Sequence, residues 1–547
     1  MPRKTRHGAA TKPSANPALH ATTLYLLVFV CGAALMSLEI VGSRVLAPYF
    51  GSSIFVWGSL IGIFLGALSI GYFLGGKIAD VWPRFEPLAA FVMASGITIL
   101  AVIFLAKPIC SYLDSADFGR RFGPLLGSII LFSIPSVLLG TVSPYAVRLL
   151  AQDVSSMGKV AGALYALSTL GSIFGTLLTS FILIPLIGSR WILISIHATL
   201  IGTCVVLLFV RFAAGLGGLP LAKAASFLSV GAIMSASSPE ELYPYHEGCE
   251  VVEKRESAYQ HILVVDYIDQ NDYSNNQRRL LFDRYLQSAV YLDTLDTDHC
   301  VPSTTYTDLL HLPLIFNEKP TSVLIIGGGG CVMPTVFRQQ YPWMDIDIVE
   351  IDPVVIEMAR KHFALSRVEG DKVRVHVDDG RAFLRRSKKK YDLVILDAYT
   401  SAGRIPIHLV SQEFFKEVRQ HLTKKGIVLV NIISAMRGRG ARFYYSALHT
   451  ASSVFSQAYV FPRVTGDMFI KEEQTNLILI LTQDAIPLKK TQVVQQAKDL
   501  MLRGVVTLPT FVHYAKYFQA GESNSTEIRE APLFTDSHNP SDLYAIR

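Results

Sequence analysis

Paired cysteines are missing from this sequence. Its six cysteines, Cys31, Cys110, Cys204, Cys249, Cys300 and Cys331, never fall as CxxC, and several lie inside apolar runs. That pattern gives neither a zinc site nor a disulfide framework and points to reduced thiols. The stretch HEGCE, His246 to Glu250, has one His and one Cys without further ligands nearby, so no structural metal is expected. Basic runs are also scarce. The net charge is +6 over 547 residues, and the one dense run is Arg385, Arg386 and Lys388 to Lys390 around Ser387. A nucleic-acid partner is therefore not expected. No GKT or GKS follows the glycine-rich stretch at Gly327, which argues against a P-loop cradle for a triphosphate.

Charge of either sign is sparse, at 17% of residues, and mean hydropathy is +0.36. So apolar a chain of this length is not an ordinary soluble domain. The long apolar runs gather before Ser237. A span of about 30 Å of hydrocarbon needs about 20 apolar residues. Six runs qualify: Thr22–Ile40, Ile54–Leu74, Leu88–Ala106, Leu125–Val147, Val160–Leu186 and Trp191–Val210. A seventh, Leu219–Ala236, is short and carries Lys223. The first run lacks the small residues of a cleaved signal peptide and has Glu39 and Arg44 there instead.

With six spans, Arg3, Lys4, Arg6, Lys12, Lys77, Arg84, Arg148, Lys159, Arg211 and Lys223 fall on one side. Arg44, Lys107, Arg120, Arg121 and Arg190 fall on the other. The excess of positive charge predicts that the amino-terminal tail and the polar second half are cytoplasmic, on a multi-pass protein of the inner membrane. A seventh span would invert that. Glu39 and Arg44 read either as a substrate pathway or as an interfacial pair that fixes the helix end. The glycines of GIFLGALSIGYFLGGKIAD suit close helix packing.

The polar half alternates short apolar strands with helical segments. VLIIG precedes the Met333–Gln340 region, DIDIVEID precedes PVVIEMARKHF, VRVHVDD precedes GRAFLRRS, YDLVILDAY precedes SQEFFKEVRQHL, and GIVLVNII closes the series. This predicts a parallel sheet covered on both faces, which binds ligands at the carboxyl ends of its strands. The first turn, Gly327 to Gly330, allows a ligand close to the backbone. Glu350 and Asp352 follow about 20 residues later, where an acid accepts hydrogen bonds from ribose hydroxyls. Asp378, Asp379 and Asp397 end the next strands on the same rim. Together they favour an adenosine-containing ligand of the S-adenosylmethionine class.

Several motifs in this half resemble the spermidine synthases (polyamine aminopropyltransferases), in particular their membrane-fused bacterial members. Ser257, Tyr259 and Gln260 match S-x-Y-Q, and Leu280, Asp283 and Gln287 resemble L-x-L-D-G-x-x-Q, with Arg284 at the glycine. The resemblance covers about Glu256 to Ile433. It implies a multi-span α-helical membrane domain (1–237, six or seven spans), then a small β domain (238–315) and a Rossmann-like α/β domain (316–547). It also implies roles. Gln260, Gly327, Gly328 and Gly329 resemble residues that hold the nucleoside, Glu350 the ribose acid, and Asp379 with Gly380 the pair at the adenine. Asp397 resembles the first Asp of D-S-S-D-P, which takes a proton from the attacking amine. Tyr306 and Asp308 resemble the Tyr and acid of Y-H-E at the amine pocket.

The activity implied is aminopropyl transfer from decarboxylated S-adenosylmethionine to a diamine such as putrescine, giving spermidine. Decarboxylated S-adenosylmethionine is then a co-substrate, with no resident cofactor, and the partners are polyamine and nucleoside small molecules and the lipid bilayer. The sequence also allows a homo-oligomer. Three positions depart from the pattern: Gly330 where an Asp is usual, Thr400 at the second Asp of D-S-S-D-P, and Thr307 at the His of Y-H-E. Two other readings stay open. One is an enzyme acting on intact S-adenosylmethionine, by group transfer or acceptor-free cleavage; the other is a transporter or sensor with a non-catalytic nucleoside-binding domain. The tail TDSHNPSDLY is expected to pack on the surface.

Overall fold

The computed structural model describes residues 17–213 and 249–538, apart from short gaps at 52–53, 117, 152, 284, 296, 298–299, 401–402, 465–470, 485 and 520–524. The chain divides into two compact units, 1–244 and 245–547. The seventh apolar run, the basic amino-terminal tail and most of HEGCE lie outside the described residues, as does the expected domain boundary at 237.

The first unit is helical: α1 (Pro17–Phe50), α2 (Ile54–Val81), α3 (Phe85–Ser115), α4 (Gly119–Gly140), α5 (Val142–Leu150), α6 (Val154–Leu178) and α7 (Ile184–Ala213). Five stretches are long and apolar enough to cross a membrane: Leu19–Phe50, Ile54–Val81, Phe85–Ser115, Phe122–Leu150 and Ser156–Ala213. The fifth has 58 residues, so a straight helix of that length would measure about 87 Å, far more than one bilayer. It is not straight. Gly188, at φ 74° and ψ 164°, breaks it into two arms that carry the last two of the six expected runs.

Glycines set the helix spacing in this unit. A Cβ at Gly171 or Gly175 of α6 would run into the carbonyls of Phe29 or Ala33 on α1, and one at Gly71 or Gly75 of α2 into Val137 or Thr141. Gly62, Gly66 and Gly76 have no such neighbour within 4 Å, so only part of the expected glycine packing occurs here. The first helix also continues ten residues past Ile40, which leaves Glu39 and Arg44 inside it rather than at its end.

The second unit opens with a four-stranded antiparallel sheet in the order β1 (Cys249–Glu256), β2 (His261–Tyr267), β3 (Gln277–Phe282), β4 (Tyr285–Tyr291). A seven-stranded sheet follows: β5 (Ser322–Ile326), β6 (Asp345–Glu350), β7 (Val373–Val377), β8 (Tyr391–Leu396), β9 (Leu422–Ser434), β10 (Gln457–Pro462) and β11 (Thr475–Thr482). Its order is β10-β11-β9-β8-β5-β6-β7. Strands β5 to β9 are parallel, while β11 runs antiparallel to both neighbours. The sheet is thus Rossmann-like with an antiparallel pair at one edge. That pair lies beyond GIVLVNII, the last strand expected from sequence.

Both faces of this sheet are covered, and the strand alternation assigns each residue to a face. Val323 and Ile325 pack with Phe337, Val493 and Leu500; Leu324 and Ile326 pack with Phe414, Val418 and Leu448. The chain leaves β5 toward β6 and β7, then returns to its other side with β8. That reversal opens a crevice between the carboxyl ends of β5 and β8, where ligands bind in such sheets.

Candidate active site

The glycine loop is shaped by its neighbours. Gly327 has φ +99°, and a Cβ there would strike the Asp397 carbonyl, so only glycine lets β5 turn this close to the end of β8. Gly329 is also left-handed, at φ +49°. The loop leads into α8 (Val332–Gln340), whose cap residue Cys331 is left-handed too.

Glu350, buried at the end of β6, faces this loop. One carboxylate oxygen accepts the Gly328 N–H at 2.8 Å and the Gly329 N–H at 3.4 Å; the other accepts the Asp352 N–H at 3.0 Å. Burial pushes its pKa up against those three donors. Asp352 caps α9 (Pro353–His362) by accepting the Val354 N–H, and its second oxygen accepts the Ser257 hydroxyl at 2.5 Å. Ser257 also accepts the N–H groups of Tyr259 and Gln260 at 3.1 Å. The S-x-Y-Q turn is therefore tied to the acid beside the loop. The Gln260 side chain makes no hydrogen bond among the described residues, while its backbone is held.

Asp379 caps α10 (Gly380–Arg386), accepting the N–H groups of Arg381 and Ala382 with one oxygen and meeting His408 Nε2 at 2.8 Å with the other. Burial would raise its pKa, but the Ala382 N–H and His408 outweigh that and hold it below the usual range. Gly380 packs so closely that a Cβ would collide with Ile326.

Asp397 ends β8 beside the loop, with its N–H on the Ile326 carbonyl. Its carboxylate accepts the Asn431 amide at 2.8 Å and lies within hydrogen-bonding reach of Tyr306. Burial pushes its pKa up, opposed by those two donors. Burial and the Asp397 charge also push Tyr306 well above the usual phenol range. Asp308 is turned elsewhere: Thr510 donates to it at 2.7 Å, and no hydrogen bond joins it to Asp397 among the described residues.

The chain is similar to known proteins. The spermine/spermidine synthase domain family matches residues 304–460. A polyamine aminopropyltransferase of Vibrio vulnificus is 28% identical over 296 residues, covering 54% of this chain and 91% of the relative. The chain carries a domain of the spermidine synthase family.

Polyamine aminopropyltransferase 2 of Aquifex aeolicus is 25% identical over 432 residues, 75% of this chain and 78% of the relative. That exceeds the whole second unit, so the similarity reaches into the apolar half. A human eEF1A lysine and N-terminal methyltransferase is 28% identical over 171 residues, 29% of this chain and 24% of the relative.

Within the spermidine synthase domain, the structure brings Gly327, Gly328, Gly329, Glu350, Asp397 and Tyr306 to one end of the sheet, with Asp379 and Gly380 opening the helix after β7. Sequence reasoning passed over Asn431, which accepts from Asn476 at 3.1 Å while holding Asp397. A lone amide within the apolar run GIVLVNII was its signal. It also passed over Ser288 of β4, whose hydroxyl accepts the Gly330 N–H at 2.9 Å. A Cβ at Gly330 would lie 3.0 Å from the Ser288 Cβ and 3.2 Å from Phe363 Cδ1, so the usual Asp position is nearly filled. Of the tail only 535–538 lies among the described residues, and there Asp536 meets Arg381 and Ser411 donates to it at 2.6 Å.

Proposed function

We propose that the chain transfers an aminopropyl group from decarboxylated S-adenosylmethionine to a diamine such as putrescine, giving spermidine. The observation that carries this reading is Asp397, a recessed carboxylate set against the glycine loop between Tyr306 and Asn431. In this reading Gly327, Gly328 and Gly329 cradle the nucleoside, Glu350 takes a ribose hydroxyl, and Asp379, Gly380 and Gln260 line the base. Three backbone N–H groups fix the orientation of Glu350 and take three of the four lone-pair sites of its carboxylate, which leaves one for a ribose hydroxyl.

The attacking amine is a cation at neutral pH and must lose a proton first. Asp397, whose basicity is raised by burial, takes that proton. The amine nitrogen then forms a bond to the carbon next to the sulfonium. The carbon–sulfur bond breaks, its electron pair stays on sulfur, and the neutral methylthio nucleoside leaves. Tyr306 orients the carboxylate, and Asp308, held by Thr510, provides a second negative site for the far end of the diamine. The six-span reading puts this half on the cytoplasmic side of the inner membrane.

Gly330 favours a second reading. No side chain there repels the carboxylate of intact S-adenosylmethionine, so that molecule is the rival donor. A product assay separates the two: the purified full chain is given decarboxylated or intact S-adenosylmethionine, each with and without putrescine. Spermidine from the decarboxylated donor alone supports transfer. Consumption of the intact donor supports the rival, and binding of nucleoside with neither consumed supports a sensor or transporter. Asp397→Asn should abolish transfer and leave nucleoside affinity within about twofold, since the loop contacts do not use its side chain; calorimetry with methylthioadenosine checks the second part.

A further inference from the structure

Glu39 sits inside α1, about 16 Å from the helix end at Phe50 at ~1.5 Å per residue. It makes no hydrogen bond or ion pair among the described residues, with Arg44 or any other group. The hydroxyls nearest in sequence are committed elsewhere. Ser37 donates to the Gly175 carbonyl at 3.2 Å and accepts from Thr179 at 2.8 Å, and Ser43 donates to Ile40. A bare carboxylate at this depth is costly unless a proton or a cation neutralises it.

Helical spacing fixes where Glu39 points. It shares a strip of α1 with Gly32, seven residues before, and Gly42, three residues after. Gly32 is where α6 crosses, since a Cβ there would collide with the Ser168 carbonyl. Gly42 is where α2 and α4 approach, with Leu60 Cδ2 at 3.2 Å and Phe132 Cε2 at 3.3 Å from a Cβ. Glu39 thus projects into the seam between α6 and the α2–α4 side.

We propose that Glu39 is a binding site for an alkylammonium cation within the apolar half. Hard metal ions collect about six to eight oxygens, and no group of three His, Cys, Asp or Glu side chains occurs among the described residues. A protonated amine asks less: one counter-charge for its nitrogen and an apolar wall for its methylenes, and Leu60 and Phe132 stand against Gly42, the next position along the same strip. The inference does not rest on the transfer reaction of the second unit.

The test is modification of the full chain in lipid nanodiscs by dicyclohexylcarbodiimide, with the modified residue mapped by mass spectrometry. Glu39 should be labelled, and Glu39→Gln should lose that label. Putrescine at about ten times its dissociation constant should slow labelling of Glu39 about tenfold, whereas potassium chloride of equal ionic strength should not. The same protection in Asp397→Asn separates this site from the one in the second unit. Absence of label at Glu39 in the wild-type chain, label without protection, or equal protection by potassium would each overturn the proposal.

Discussion

At Asp397, burial disfavours the charge while the Asn431 amide and the Tyr306 hydroxyl favour it, and burial prevails. The balance makes Asn431 a positioning residue with a measurable effect. Replacing it with leucine removes a donor to the ionised form, so the carboxyl pKa rises further. Because the base form is the ionised one, the acidic limb of the kcat/KM profile should move to higher pH, with activity near neutrality falling about tenfold for the loss of one charge-assisted hydrogen bond. An unmoved limb with lowered activity would assign Asn431 a structural role only. Ser288 and Gly330 act at the same scale: with the Ser288 hydroxyl on the Gly330 N–H, the loop has a neutral donor–acceptor contact where a carboxylate is usual in the family.

The elements explain how these side chains meet. The turn from β5 into α8 works only because Gly327 is left-handed and bare. Gly327→Ala should weaken nucleoside binding about tenfold or more, from the strain of a side chain at positive φ and its collision with β8; titration with methylthioadenosine measures it. The five parallel strands were legible in sequence, because each is a short apolar run ending in a turn or an acid. The edge pair β10 and β11 was not, since QAYVFP and TNLILILT follow the last strand-helix repeat and pair antiparallel instead. The loop and its acids were legible from order and spacing. The Asp397–Asn431 and Ser257–Asp352 contacts were not, because each joins residues distant in sequence whose side-chain directions only the fold determines. The divergence of Asp308 from Asp397 was hidden for the same reason.

At the scale of the whole molecule, two measurements bear on arrangement and endurance. A reporter fused after Arg547 should signal a cytoplasmic end; an extracytoplasmic signal would overturn the six-span reading. Acid sensitivity should trace to Asp347, buried on β6. Burial draws its pKa up, but Lys389, Arg374 and His376 outweigh it and hold it at about 2, against 3.8 ordinarily. A depressed carboxyl contributes stability that is present above its unfolded value and lost as pH falls through the folded one. Asp347→Asn should therefore lower the Tm near neutrality and flatten its fall between about pH 5 and about pH 2. Unfolding followed by tyrosine fluorescence would check both.

The crowding around Gly330 has a bearing on what can replace it. An aspartate there would place its Cβ 3.0 Å from the Ser288 Cβ and 3.2 Å from Phe363 Cδ1, so one of those side chains must give way by a few tenths of an ångström. Gly330→Asp is thus accommodated or refused by how far the Ser288 hydroxymethyl group and the Phe363 ring can yield.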